Sequence, residues 1–325
     1  MSTLDATGEA ARRPFSGRRT RTGDVLLQGV AGLAALGAVV LLGLIAYKIV
    51  DGARLSLSTF GLGFLTHVGW DPVHSRFGAG GFLFGTAVTS IGALLLATPL
   101  ALGIALFLTE LAPRWIRGPV TALVETLAAI PSVVIGLWGI LVLGPVLHDH
   151  VMPALHSTLG FVPLFGPSTT GSTIFTAILV LTIMILPIVS SISRELFLGV
   201  PPELKEAALG LGTTRWEMVR GVVLPYTRGG VAAAMILGLG RAVGEAIAVA
   251  QVSGAFNNGI SWNLFSSGNT LAAQIALEYQ SAETTLDVSS LFYLGLILLV
   301  FSLVVNLLAR VVVRRGARRQ GVLAR

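Results

Sequence analysis

Six separate runs of apolar residues, each about as long as a helix must be to cross ~30 Å of hydrocarbon, constrain this chain more than any other feature. They fall near residues 25–47, 83–108, 121–146, 173–193, 229–252 and 289–311. Inside a bilayer no water is present to satisfy a backbone amide, so each run is expected to close its hydrogen bonds internally as an α-helix. Composition agrees, since 54% of the 325 residues are hydrophobic and only 12% are charged, about half the charge of an ordinary soluble domain. The first run has no small-residue cleavage site after its apolar stretch and reads as a retained anchor. The expected fold class is an all-α integral membrane protein with six transmembrane helices.

Sorting the basic residues by loop gives an orientation that does not depend on hydropathy. The arm before the first span carries Arg12, Arg13, Arg18, Arg19 and Arg21, and the 109–120 loop carries Arg114 and Arg117. The 194–228 loop carries Arg194, Lys205, Arg215, Arg220 and Arg228, and six more arginines run from Arg310 to Arg325. These alternate segments hold 18 of the 22 basic residues; Lys48, Arg54 and Arg76 lie in the loop after the first span, and none lies in 147–172 or 253–288. By the positive-inside rule both termini are expected in the cytoplasm. The net charge of +6 then reads as an orientation signal beside membrane lipid. No folded basic surface accompanies the arm, so nucleic acid is not an expected partner.

Other chemistry is excluded directly. The chain has no cysteine, which removes disulfides, cysteine metal sites and thiol catalysis. Its lysines are Lys48 and Lys205, and neither follows a glycine, so the phosphate-cradling Gly-Lys-Ser/Thr of a Walker A loop is missing. Pro99, Pro131 and Pro187 fall inside spans; each lacks an N–H and is expected to bend or interrupt its helix. The 39 glycines suit helices that approach closely where apolar burial supplies no driving force.

The most informative loop lies between the fourth and fifth runs. Pro201-Pro202 fits a first helical turn, Glu203 and Glu206 sit where the helix dipole favours negative charge, and Gly212 is a natural stop. Leu204, Ala207, Ala208 and Leu211 then follow i, i+3, i+4, i+7 and make one apolar face outside the membrane. A second short helix is expected to carry Trp216, Val219 and Val223 on one face and to end at Leu224-Pro225. On periodicity alone, this is an amphipathic pair resting on the lipid surface. The spacing adds to that reading: Glu206-Ala207-Ala208, three residues, Gly212, nine residues, Val222, one residue, Leu224-Pro225. This pattern resembles the EAA signature of ABC importer permeases, with Val222 where isoleucine is usual. The resemblance implies that the loop, about residues 200–226, is a coupling helix that enters a cleft on a separate ATPase subunit. ATP and Mg would be used there, and no cofactor would be bound by this chain.

Further segments narrow the resemblance to the PstC type of phosphate-transport permease. They are Trp70-Asp71-Pro72 with Phe77-Gly78 and Gly85 to Ser90, Phe107 to Pro113, Glu125 to Ser132, Gly238 to Glu245 and Leu294 to Leu298. The likeness runs from about residue 25 to 312. The stretches around Pro131 and Arg241 are also similar to the sister permease PstA, whereas the Trp70 to Ser90 segment favours PstC. Ala246-Ile247 stands in place of a commoner Thr-Met pair, and the 253–269 loop is its own sequence. The implied fold is that of a type I ABC importer permease: a basic arm at 1–24, a six-span permease domain at 25–312 and a basic tail at 313–325. The implied partners are a PstA-like permease, a dimer of a PstB-like ATPase and a PstS-like phosphate-binding protein on the other side of a bacterial inner membrane. A permease for sulfate or molybdate would share the Glu206 to Pro225 loop, and a nucleotide-independent channel or carrier would need no ATPase.

Arg241 and Glu245 fall mid-run, four residues apart, and so are expected one helical turn apart on one face. A lone arginine at bilayer centre costs roughly 3 kcal/mol or more. One reading is a self-neutralising ion pair at a subunit interface. The other is that Arg241 offers its guanidinium fork to an oxyanion in passage while Glu245 orients it. Gly240 and Gly244 form a small-residue stripe beside the pair. Glu125 is a second wall charge or a capping or interface residue, and Ser132 either offers a hydroxyl at the Pro131 interruption or back-bonds to its own helix. His148, Asp149, His150 and His156 are expected as solvent-exposed residues of a loop, not a metal site. The 253–288 loop, opening with Gly254, Asn257, Asn258 and Gly259, is expected to form a short amphipathic helix from Asn269 through Tyr279. With Glu278, Glu283 and Asp287, it would serve as a landing surface for a binding protein or as a lid.

Overall fold

A computed structural model describes residues 20–254 and 259–321. Arg12, Arg13, Arg18, Arg19, Asn257, Asn258 and residues 322–325 lie outside the described residues. The chain divides after Lys48 into two compact units. The first contains the opening part of α1 (Thr20–Phe60), whose residues 23–48 bury no side chain within it. The second holds the rest of α1, a two-residue hairpin of β1 (Trp70–Asp71) and β2 (Arg76–Phe77), and α2 (Gly80–Leu106). There follow α3 (Arg114–Ala129), α4 (Ser132–Trp138), α5 (Gly144–Val146), α6 (Met152–Leu159), α7 (Ile174–Leu198), α8 (Pro202–Gly210) and α9 (Arg215–Met218). The last elements are α10 (Leu224–Gly244), α11 (Ile247–Val252), α12 (Leu271–Glu278) and α13 (Thr285–Gly321). Among the described residues six helices are long and apolar enough to cross a membrane: Gly23–Phe60, Gly80–Leu111, Ser132–Leu159, Ile174–Leu198, Arg215–Gly244 and Thr285–Val311.

Helix α7 is the centre of the second unit, with 67% of its span buried. It packs most extensively on α2. The reason is legible in α2, where Ala93, Ala97, Ala101 and Ala105 recur every fourth residue and are all fully buried. Small side chains at that spacing let two backbones close up and gain dispersion contacts along their length. Val180, Leu181, Met184 and Ile185 of α7 fill the other side of the same core, and α10 packs on α7, α2 and α13. The end of α1 is stitched to α13 by polar groups, with the Ser56 amide donating to Ser289 Oγ at 2.9 Å and Ser289 Oγ donating to the Gly52 carbonyl at 2.7 Å.

Among the described residues four places carry a wide π-turn, at Phe107–Leu111, Gly139–Leu143, Leu147–Val151 and Val219–Val223. Each is followed two residues later by proline: Pro113, Pro145, Pro153 and Pro225. Proline lacks the N–H that would continue the ladder, and its ring strikes the carbonyl four residues back. One extra residue in the turn moves that carbonyl aside, and the residue before each proline donates to the carbonyl five back instead, as Leu224 does to Val219.

The structure corrects the expected spans in three places. The first continues past residue 47 to Phe60, so Lys48 and Arg54 are helical and do not belong to a loop. The third begins at Ser132 and not near 121, because Ile130 and Pro131 are extended and separate it from α3. It continues to Leu159, so His148, Asp149, His150 and His156 are helical and do not belong to a loop. His148 Nδ1 lies 3.4 Å from Ser168 Oγ, and His156 Nδ1 bonds the Phe165 carbonyl at 2.7 Å. The fifth run is interrupted at Glu245 and Ala246, where Glu245 is extended, and it resumes as α11. At the other end of that run, no boundary falls at Leu224-Pro225: α9, the π-turn and α10 form one continuous helix from Arg215.

Candidate functional site

The loop after α7 is built as its sequence dictates, with one face reassigned. Helix α8 starts on Pro202 and closes through a Schellman motif: the Thr213 amide donates to the Ala208 carbonyl, the Gly212 amide to that of Leu209, and Gly212 adopts φ 85°. A left-handed φ at that position favours glycine, which has no Cβ to strike the following carbonyl. Thr214 then opens α9 with a reciprocal capping box to Glu217. Leu204, Ala207 and Leu211 are exposed together with Trp216, and Leu211 is 86% exposed. Ala208 is turned inward instead, onto a core of Ala105, Phe197, Val200, Met218, Val219 and Val223. Trp216 likewise parts from Val219 and Val223, which are buried. The result is an apolar surface outside the spans, with Glu203 and Glu206 exposed beside it. Leu224 is half-buried, and Pro225 sits at the start of α10.

The second feature is a pair of helix interruptions at one depth. The break at Ile130-Pro131 precedes α4, and the break at Glu245-Ala246 precedes α11. The two short helices pack on each other. Gly136 lies against the Ala248 backbone and Gly139 against Val252, so the helices run in parallel and their starts are neighbours. Arg241 occupies the last turn of α10 and is exposed. Among the described residues no ion pair joins it to Glu245. The one-turn geometry expected for the two is corrected: helix ends between them, and the half-buried Glu245 turns its Oε1 to accept from the Ala248 amide at 3.3 Å, capping α11. The guanidinium is therefore left for something outside this chain's described contacts, and the carboxylate has a local role. Ser132 stands half-buried at the start of α4, beside the second break. Glu125 lies one helix earlier on α3, exposed, and lines a crevice against α7 with Ser190, Ser191 and Arg194. The structure thus brings Ser132 near the Glu245 break and leaves Glu125 apart from it.

On the opposite side, the hairpin is closed by Asp71, whose carboxylate bonds His74 Nδ1 at 2.7 Å and the His74 amide at 3.2 Å. The hydrogen bond to the His74 ring, then that to its amide, holds the Asp71 carboxyl below the usual carboxylate range. The expected helix in 253–288 forms as α12, opened by Thr270, whose hydroxyl accepts from the Ala273 amide. Its first half is not a surface, because Leu271, Ala272, Ala273 and Gln274 are buried. Gly85 of α2 lies against the Asn269 carbonyl, and Thr86 Oγ1 accepts from the Leu271 amide at 2.9 Å. Asp287 is also buried, 6% exposed, with Oδ2 accepting from the Thr284 amide. Only Glu278 and Glu283 of the three acids remain accessible. Reading the sequence missed one pair, Lys205 with Glu110. The signal was that Lys205 is the one basic residue between Arg194 and Arg215, on the inward face of α8.

The family model described as a binding-protein-dependent transport system inner membrane component matches residues 97–318. The phosphate transport system permease PstC of Mesorhizobium japonicum is 43% identical over 327 residues, covering 99% of this chain and 100% of that protein. The PstC of Pasteurella multocida is 42% identical over 303 residues, covering 92% of this chain and 94% of that one. A chain of a bacterial alginate ABC transporter, solved in complex with an alginate pentasaccharide-bound periplasmic protein, matches with a TM-score of 0.59 at 18% identity. That match covers 91% of this chain and 97% of the other, and shows a shared fold.

Proposed function

The chain belongs to the inner membrane components of binding-protein-dependent transport systems, and we propose that it is the PstC-type permease subunit of an ATP-driven phosphate importer. Near full-length likeness to phosphate permeases supports the substrate, and the observation that carries the mechanism is Arg241. It is a guanidinium in the last turn of a helix interrupted within the membrane, exposed on this chain and with no ion pair among the described residues. A planar fork of N–H donors matches a phosphate oxyanion in two places at once. A site in a pathway must also release what it holds; a single arginine, with Glu245 engaged elsewhere, meets both demands.

In this reading the subunit performs no bond chemistry and binds no cofactor. ATP and Mg are used by a PstB-like ATPase dimer docked on the exposed face of α8 and α9. A PstA-like permease completes the pathway, and a PstS-like protein delivers phosphate on the hairpin side. The termini and the α8–α9 loop lie in the cytoplasm of a bacterial cell, and the spans cross its inner membrane. Closure of the ATPase dimer moves the loop, the spans rock, and Arg241 is presented to the outer side; hydrolysis resets the inward state. Permeases for sulfate or molybdate are not favoured, since the close relatives at this length are phosphate permeases.

The test is reconstitution of the chain with its three partners in vesicles, followed by uptake of labelled phosphate and labelled sulfate. Phosphate is expected to accumulate only with ATP and the ATPase subunit, and sulfate not to accumulate. Equal sulfate uptake would overturn the substrate, and uptake without the ATPase subunit would overturn the transporter class.

A further inference from the structure

Among the described residues four close pairs join an acidic to a basic or histidine side chain, and three are local: Arg54 with Asp51, His74 with Asp71, which is an ion pair only when the imidazole is protonated, and Arg194 with Glu195. The fourth joins residues 95 apart in sequence. Lys205 Nζ donates to Glu110 Oε1 at 2.6 Å, and the two side chains are only 18% and 11% exposed. The same ammonium donates to the Phe197 carbonyl at 3.1 Å. Lys205 lies on α8, Glu110 in the π-turn that ends the second span, and Phe197 in the last turn of α7. One side chain therefore ties the docking loop to the ends of two spans.

We infer that Lys205 and Glu110 form the strut through which movement of the docking loop reaches the second and fourth spans. The inference rests on reading α8 and α9 as the ATPase-docking segment. The main packing neighbours of α8 are α9 and the turn at Val219–Val223, both on the helix that leads into the fifth span. A push on α8 reaches that span through backbone packing. The fourth span is joined to α8 by only the three residues 199–201 and is bonded to it through Lys205 and the Phe197 carbonyl, while the polar link from α8 to the second span is the Lys205–Glu110 pair, beside the apolar contact of Ala208. A charge-assisted bond suits the task, because two ions largely removed from water are weakly screened and hold one geometry. Neither ion is stable there without the other, since a buried charge that loses its partner keeps its desolvation penalty. Lys205 and Glu110 are positioning residues in this account. They touch no substrate, and their effect is on coupling.

The test uses the complete transporter in proteoliposomes and reads phosphate moved per ATP hydrolysed, together with retention of the ATPase subunit on purification. The variants are Lys205→Met, Glu110→Gln, the swap Lys205→Glu with Glu110→Lys, and Leu211→Asp, which alters only the exposed docking face. The single neutral variants are expected to keep the ATPase subunit and its turnover within twofold while transport per ATP falls at least tenfold. The swap is expected to recover at least half of it. Wild-type transport per ATP in both single variants would overturn the strut. If the single variants fail to assemble, the swap decides: an assembled swap that couples upholds the strut, and one that transports less than a tenth per ATP overturns it. Leu211→Asp separates the premise, because retention of the ATPase subunit by that variant counts against the docking reading and leaves the strut measurement standing.

Discussion

Replacing Gly136 by alanine places a methyl group where α4 crosses α11, and the outcome follows from the spacing there. A Cβ on Gly136 would lie 2.8 Å from the Ala248 Cα and closer still to Gln251 Oε1. Carbon atoms rest at about 3.5–4.0 Å, so the helices must part by about 1 Å, and the obstacle is backbone that cannot rotate away. Overpacking of that kind costs about 1–3 kcal/mol. Alanine returns part of it, about 0.4–1 kcal/mol, by narrowing the unfolded ensemble. The net expectation is a loss of about 1–2 kcal/mol. Gly103, in the interior of α2 with nothing within 4 Å of its Cβ position, supplies the control. There the same substitution is expected to be neutral or to stabilise by up to about 1 kcal/mol. Reversible unfolding of the purified transporter in mixed micelles reads both differences. Gly136→Ala also displaces the two helix starts at the breaks beside Arg241, so uptake is expected to fall further than assembly. If the two glycine variants proved equally stable, or if Gly136→Ala transported normally, the tight α4–α11 crossing would not be what fixes the breaks.

Arg241→Gln is expected to abolish ATP-driven phosphate uptake while leaving the ATPase subunit bound, and wild-type uptake by that variant would sink the proposed role. Gly212→Ala meets no neighbour, so its cost is the left-handed φ alone, about 1–2 kcal/mol; hydrogen exchange at the Thr213 amide should quicken by roughly fivefold or more, and an unchanged rate would remove the Schellman closure from the account. Asp71 gives a pH prediction with a definite sign. Its folded pKa is depressed by His74, so the hairpin contribution is complete above the ordinary aspartate value, about 3.9, and is lost as pH falls through the lower folded value. Quenching of Trp70 fluorescence in a variant keeping only that tryptophan should rise across that acidic window, and His74→Gln should move the rise to higher pH.

How far the sequence carried depends on which force decides each feature. All six spans stood out because exclusion of water from hydrocarbon acts on about twenty residues at once, and no local detail outweighs that sum. The Gly212 stop was equally legible, since a left-handed φ at a helix end is a property of one residue. Interruptions were legible only in part. Pro131 predicts a break by its missing N–H, yet the break at Glu245 has no proline, and an unbroken helical period would place its side chain beside Arg241. What tells against that period is the pair of glycines at 136 and 139, and they lie on another helix more than 100 residues away. Ala208 and Trp216 depart from their periodic faces for a reason that also lies outside the local sequence. A face count on a short helix says which residues share a side, and only packing against the ends of the second and fourth spans decides which of them turns inward. Lys205 and Glu110 show the limit most plainly. Each looks like an ordinary surface charge in its own segment, and only folding the 194–228 loop back onto the end of the second span makes them a pair. The residues that transmit motion between elements are defined by contacts across the fold, so they are the last to be visible along the chain.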